Sequence, residues 1–139
     1  MLRKLLVAHD GSAWGERALK AGLELAKRLQ VDLAMICVEE LPSFPASIDE
    51  IEETVAEAAG VFDKAIERAK ALASAEGVGL KVHIATGHPL PSIVEYLKAE
   101  GFDLLFVGYM GHSSIYNRLI GGTTVRLVEH APCKVMVVK

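Results

Sequence analysis

The 139-residue sequence lacks the features that mark secreted and membrane-spanning proteins. It has only two cysteines, Cys37 and Cys133, which lie far apart without a CxxC pair, so we expect a reducing compartment and no disulfide. No apolar run approaches the roughly 18 residues that a membrane span requires. The first residues also show no cleavable signal pattern. The sequence therefore predicts a cytoplasmic protein.

The chain also has no large excess of either charge sign. The chain has 15 basic and 18 acidic residues, a formal charge of −3, and no block of lysine or arginine. This balance disfavours a nucleic-acid partner. Hydrophobic residues make up 51% of the chain, which excludes a disordered protein. We therefore expect one globular domain over residues 1–139.

The short motifs of several enzyme classes are absent as well. The sequence contains no GxxxxGK[ST] P-loop, no dinucleotide GxGxxG, no GxSxG nucleophile elbow and no HExxH zinc motif. His9 and Asp10 are neighbours in a predicted strand, so they point to opposite faces and do not suggest a catalytic pair. We predict no catalytic residues and, at most, slow hydrolysis of a bound nucleotide.

The sequence also lacks the signatures of two classes of ligand-binding protein that have a similar fold. A phospho-receiver domain needs a pair of acids after strand one and an aspartate after strand three. Strand one is followed only by Asp10, and strand three ends at Thr86 and Gly87. An FMN carrier needs a Ser/Thr-Gly phosphate nest after strand one, which is also missing.

Short apolar runs instead alternate with helical patterns along the whole chain. The runs predict strands at residues 5–9, 33–38, 104–107 and 135–138, and an alternating pattern predicts another at 81–86. The helical patterns begin near Trp14 and after Pro89, cover Ile48 to Ala75, and resume at Val125 to His130. This alternation predicts an α/β fold with a doubly wound parallel sheet. Ligands of such sheets bind at the carboxyl ends of the strands.

One glycine-rich loop lies at that edge. Gly108-Tyr109-Met110-Gly111 follows the fourth strand, and Gly121-Gly122-Thr123-Thr124 comes after nine intervening residues. A helix opening at Gly122 would direct main-chain amides at an anion, with hydroxyls from Thr123 and Thr124 and a contact from His112. An ordinary long turn, with glycines at positive φ, is the alternative. Asp10 is a candidate ribose or metal ligand, or simply a turn residue.

Several of these segments together resemble the universal stress protein family over nearly the whole chain. They are the apolar strand before Asp10-Gly11-Ser12, the Gly87-His88-Pro89 turn, residues 102–108, and His130-Ala131-Pro132-Cys133 before the last strand. The Gly108-x2-Gly111-x9-Gly121 spacing is similar to the signature of the family's ATP-binding branch. The resemblance implies a stress-response or signalling module, with a nucleotide-independent protein-interaction module as the alternative.

The resemblance also implies an architecture and a site. It implies a five-stranded parallel sheet of order 3-2-1-4-5 with four helices, a Rossmann-like fold of the adenine nucleotide alpha hydrolase type, and a homodimer through the last strand. It implies ATP or another adenine nucleotide between strands one and four, with room for Mg²⁺ or Mn²⁺. The base and ribose would contact Ala8, Asp10, Val38 and Val107, and the phosphates would contact Gly108, Gly111, Gly121, Gly122 and Thr123. Gly122 departs from the family's usual Ser or Thr, so that hydroxyl contact is missing unless Thr123 or Thr124 supplies it.

Overall fold

The computed structural model describes residues 1–40, 60–111 and 120–139. Strands and helices alternate along these ranges, as the apolar pattern predicts. In chain order they are β1 (Leu5–Ala8), α1 (Ala13–Leu29), β2 (Leu33–Glu40), α2 (Asp63–Glu76), β3 (Leu80–Gly87), α3 (Pro89–Glu100), β4 (Leu104–Gly108), α4 (Gly122–His130) and β5 (Lys134–Val138).

The five strands form one parallel sheet in the order β3-β2-β1-β4-β5, which confirms the α/β class and the strand order that the resemblance implies. The central strand β1 pairs with β2 through Leu5 and Leu33, and with β4 through Leu5 and Leu104. Helices cover both faces of these three strands, so their residues are apolar at nearly every position. The edge strands β3 and β5 alternate between partly buried and exposed residues instead.

The core has one layer on each side of the sheet. Leu5, Val7 and Phe106 face α1 and α2, whereas Leu6, Leu105 and Val107 face α3 and α4. The cysteines are free, as expected: Cys37 is buried in β2 and Cys133 is half-buried before β5. None of the described helices is long and apolar enough to cross a membrane.

One predicted helix is partly wrong. The pattern predicts a helix from Ile48 to Ala75, but α2 begins only at Asp63. Gly60 precedes it in a turn with φ of 88°, a left-handed conformation that a helix interior does not accept. The pattern continues through this turn because Phe62 keeps the four-residue spacing between the apolar residues Ala58 and Ile66. Residues 48–59 of the predicted helix lie outside the described residues.

Candidate functional site

A cavity of about 390 Å³ opens at the carboxyl edge of the sheet, where β1, β2 and β4 end. Its position is the one that parallel sheets generally use for ligands. Every predicted site residue that the structure describes lines it: Ala8, Asp10, Val38, Val107, Gly108, Gly111, Gly121, Gly122, Thr123 and Thr124. His112, the remaining predicted residue, lies outside the described residues. The topology thus collects into one cavity residues that are far apart in the sequence.

The cavity also has an apolar wall that motif reasoning missed. Its additional members are Ile36, Val61, Phe62, Pro89, Ile93, Met110 and Leu127. Most of these residues are apolar members of strands or helices, so the sequence gives the same signal for them as for ordinary core residues. Phe62 is brought to the site from the residues just before α2. An apolar wall of this kind is suited to a flat aromatic ring.

Asp10 is held by a turn at the start of α1. Its Oδ1 accepts hydrogen bonds from the Ser12 N–H at 3.0 Å and from the Ser12 hydroxyl. The Ser12 hydroxyl oxygen in turn accepts from the N–H of Gly15 at 3.1 Å and caps the helix, as predicted. Asp10 Oδ2 faces Gly111, where an added Cβ would lie only 2.6 Å away. One carboxylate oxygen therefore fixes the turn while the other lies at the cavity.

His9 is buried and has different partners from Asp10. Its Nδ1 accepts a hydrogen bond from the Gly11 N–H at 2.9 Å, so in the neutral ring the proton belongs on Nε2. That nitrogen lies 3.8 Å from Glu16 Oε2, and Glu16 Oε1 lies 3.3 Å from the Arg68 guanidinium. These contacts tie the end of β1 to α1 and α2.

Four of the described helices begin at this edge, and they differ in the donors that they leave available. Ser12 caps α1, and the first turn of α3 contains Pro89 and Pro91, which have no N–H to donate. Helix α4 has Gly121 as its N-cap and receives no side-chain cap. Helix α2 also lacks a side-chain cap, but its first turn contains the acidic Asp63, whose N–H donates to the Gly60 carbonyl at 3.1 Å. The first N–H groups of α4, with the positive end of its dipole, are therefore the cavity's natural anion site.

The four glycines of the loop differ in how much room they leave for a side chain. A Cβ on Gly108 would lie 2.8 Å from the Trp14 Cβ, so this glycine permits close packing of α1 rather than approach of a ligand. A Cβ on Gly121 would lie 3.3 Å from the Met110 Cα, whereas one on Gly122 would meet no atom within 4 Å. None of the four is at positive φ, so the turn explanation is wrong in that respect.

The two threonines also differ. Thr124 is buried, and its hydroxyl donates to the Gly108 carbonyl at 2.7 Å. Its proton is therefore not available to a phosphate, which corrects the prediction that both hydroxyls face the ligand. Thr123 is exposed and lines the cavity. Of the two, only Thr123 can donate its hydroxyl proton to a ligand without breaking a bond inside the fold.

The charged part of the described lining is acidic. Asp10, Glu39 and Glu40 contribute carboxylates, and no lysine or arginine among the described residues lines the cavity. Burial, and then the charges of Asp10 and Glu39, raise the pKa of Cys37 to about 12. Within the described ranges, no group of three or more His, Cys, Asp or Glu side chains could hold a metal ion.

Comparisons with known proteins agree with this architecture. The model of the universal stress protein family matches residues 1–139. The chain is 30% identical over 151 residues to the universal stress protein YxiE of Bacillus subtilis, with full coverage of both chains. It also superposes on the universal stress protein UspA of Lactobacillus plantarum with a TM-score of 0.87 and 30% identity, covering 99% of this chain and 97% of that one.

Two more distant solved structures share the fold and carry nucleotides. A universal stress protein in complex with cAMP is 23% identical, with a TM-score of 0.70 and coverage of 99% and 97%. An Arabidopsis thaliana universal stress protein family protein with AMP bound is 23% identical, with a TM-score of 0.68 and coverage of 99% and 91%.

Proposed function

Because the chain belongs to the universal stress protein family, we propose that its cavity binds ATP or another adenine nucleotide. The protein would act as a cytoplasmic module in stress response or signalling, without fast hydrolysis of its ligand. The cAMP and AMP held by two relatives of the same fold support an adenine ligand.

One observation carries this proposal: the apolar wall and the uncapped start of α4 share a single cavity. The adenine ring would contact Ala8, Val38 and Val107, and the ribose hydroxyls would donate to Asp10. The phosphates would lie at the amides of Gly122 and of the residues after it, because amide donors and a positive dipole end favour anions. A divalent cation would arrive with the phosphates.

Calorimetric titration of adenosine, AMP, cAMP and ATP, with and without Mg²⁺, tests this proposal. A ligand at about 100 times its dissociation constant should stabilise the fold by about 2.7 kcal/mol, which a thermal melt detects. Gly121→Val should abolish phosphate binding, since its side chain would project beside Met110 at the start of α4. Gly122→Ala is the matched control, because its Cβ meets open space. If none of the four compounds binds at millimolar concentration, a nucleotide-independent interaction module of the same fold is the better explanation.

The proposed homodimer would form through β5. This strand is at the edge of the sheet, and Met136 is 42% exposed there. Natural proteins pair or cover such an apolar edge, and a two-fold partner is the simplest cover. Sedimentation of the wild-type chain and of Met136→Glu provides the test. We expect the wild type to sediment as a dimer and the variant as a monomer. A monomeric wild type would refute the proposed dimer.

A further inference from the structure

The end of β2 brings two carboxylates to the same cavity as the anion site of α4. Glu39 and Glu40 both line the cavity, and they are the last two residues of the strand. Asp10, after the neighbouring strand β1, adds a third carboxylate. Resting on the adenine-nucleotide function proposed above, we propose that Glu39 and Glu40 make the cavity discriminate against phosphate charge, lowering the affinity for ATP relative to AMP.

The strand order explains how the charges are arranged. The order β2-β1-β4 places Glu39 and Glu40 on one side of the cavity and the amides of α4, which follows β4, on the other. Two strand spacings separate these sides by about 10 Å. The cavity therefore has a negative side and a positive side. A nucleotide is expected to place its first phosphate at α4, and each further phosphate adds negative charge within range of the two glutamates.

The charges of Asp10 and Glu39 act together at a second residue of β2, because after burial they are the causes that raise the pKa of Cys37. No described lysine or arginine lines the cavity to offset them. Carboxylates repel phosphate oxygens, whereas a nucleoside has no net charge, so this repulsion does not act on it.

The expected size of the effect follows from charge and distance. Two carboxylates about 10 Å from a triphosphate should weaken its binding about fivefold at about 0.15 M ionic strength, where the Debye length is about 8 Å. At about 0.01 M the Debye length is about 30 Å, and the same effect rises to several tens-fold. AMP carries about half the charge of ATP. We therefore expect the two glutamates to weaken AMP binding about twofold at about 0.15 M and about sevenfold at about 0.01 M ionic strength.

The experiment compares Glu39→Gln/Glu40→Gln with the wild-type chain by calorimetric titration of adenosine, AMP and ATP in metal-free buffer at both ionic strengths. The matched control is Glu24→Gln/Glu76→Gln, which removes the same charge from exposed helical positions that do not line the cavity. The double variant at β2 should gain affinity for ATP more than for AMP, with adenosine unchanged. The control variant should leave the affinities for adenosine, AMP and ATP unchanged. Excess Mg²⁺ should reduce the gain for ATP to about that for AMP, because the cation cancels about two charges.

Each outcome has a defined meaning. Equal changes for ATP and adenosine, or no change in the variant at low salt, would refute the charge discrimination while leaving nucleotide binding intact. An equal gain in the Glu24/Glu76 control would also refute it, because net charge rather than position would then be the cause. If no adenine compound binds either protein, both the proposed function and this inference fail.

Discussion

Gly122, the first residue of α4, offers a direct test of where phosphate binds. A Cβ built on this residue meets no heavy atom within 4 Å, and its backbone is not at positive φ. Gly122→Ser should therefore fold without strain and add one hydroxyl beside the uncapped amides of the helix. A hydrogen bond from that hydroxyl to a phosphate oxygen would contribute about 1.5–3 kcal/mol, because bonds to charged groups are the stronger ones.

This free energy corresponds to a tenfold to hundredfold lower dissociation constant for AMP and ATP. Adenosine, which has no phosphate, should bind both proteins equally. Calorimetric titration of the three compounds measures the differences directly. Gly122→Ala is the control, since it adds the same Cβ and the same restriction of the unfolded chain without the hydroxyl. Thermal melts of the unliganded proteins check that the wild type and the two variants are equally stable.

Two results would contradict this reasoning. Equal affinity of Gly122→Ser and Gly122→Ala for AMP would mean that no phosphate lies within reach of residue 122. A gain for adenosine as large as the gain for AMP would mean that the serine acts on the base or ribose instead. Either result would move the anion site away from the start of α4.

Four further substitutions test the packing around the site and the hydrogen bonds of Asp103 at the opposite edge of the sheet. Gly108→Ala should destabilise the fold by about 1–3 kcal/mol in urea unfolding, because its Cβ would lie 2.9 Å from the main-chain oxygen of Trp14. Thr124→Val should cost about 1–3 kcal/mol in the same assay, since the Gly108 carbonyl loses its 2.7 Å donor; the exposed Thr123→Val should be close to neutral. Asp103 accepts from two main-chain N–H groups that lower its pKa, so its stabilisation is present above its ordinary range and is lost as the pH falls through the lowered pKa. The stability difference between wild type and Asp103→Asn should therefore shrink as urea unfolding is repeated below about pH 4.

The fold could be predicted largely from local pattern. The central strands β1, β2 and β4 are apolar runs, which a sheet covered on both faces requires, and β3 shows the alternation of a strand that is half exposed. The strand order came from family resemblance, because periodicity alone does not say which strands are neighbours. Gly60 shows the limit of the method: the apolar spacing continues through it, but its left-handed conformation ends any helix that would include it.

Motifs alone could predict part of the polar lining of the site, whereas the apolar Ala8, Val38 and Val107 were predicted only through the family resemblance. Gly111, Gly121 and Gly122 stand out because glycine carries a distinct conformational signal, whereas Ile36, Ile93 and Leu127 look like any core residues until three-dimensional placement brings them to the cavity. The sequence alone also could not predict the structural role of each glycine. Trp14 leaves no room for a side chain at residue 108, and the two residues are far apart in the chain.

The start of α4 is held in place by bonds that do not involve a ligand. Thr124 donates to the Gly108 carbonyl, and the Gly121 N–H donates to the Tyr109 carbonyl at 2.9 Å. The Tyr109 N–H donates in turn to the Val138 carbonyl of β5 at 2.9 Å, which extends the ladder of the sheet. The amides of α4 are thus fixed relative to β4 and β5 before any anion arrives. A fixed donor set loses little conformational freedom on binding, so its interaction with a phosphate is not offset by ordering of the helix. In the proposed site, the buried hydroxyl of Thr124 would therefore contribute to phosphate binding by positioning other donors, although its own proton is used by the Gly108 carbonyl.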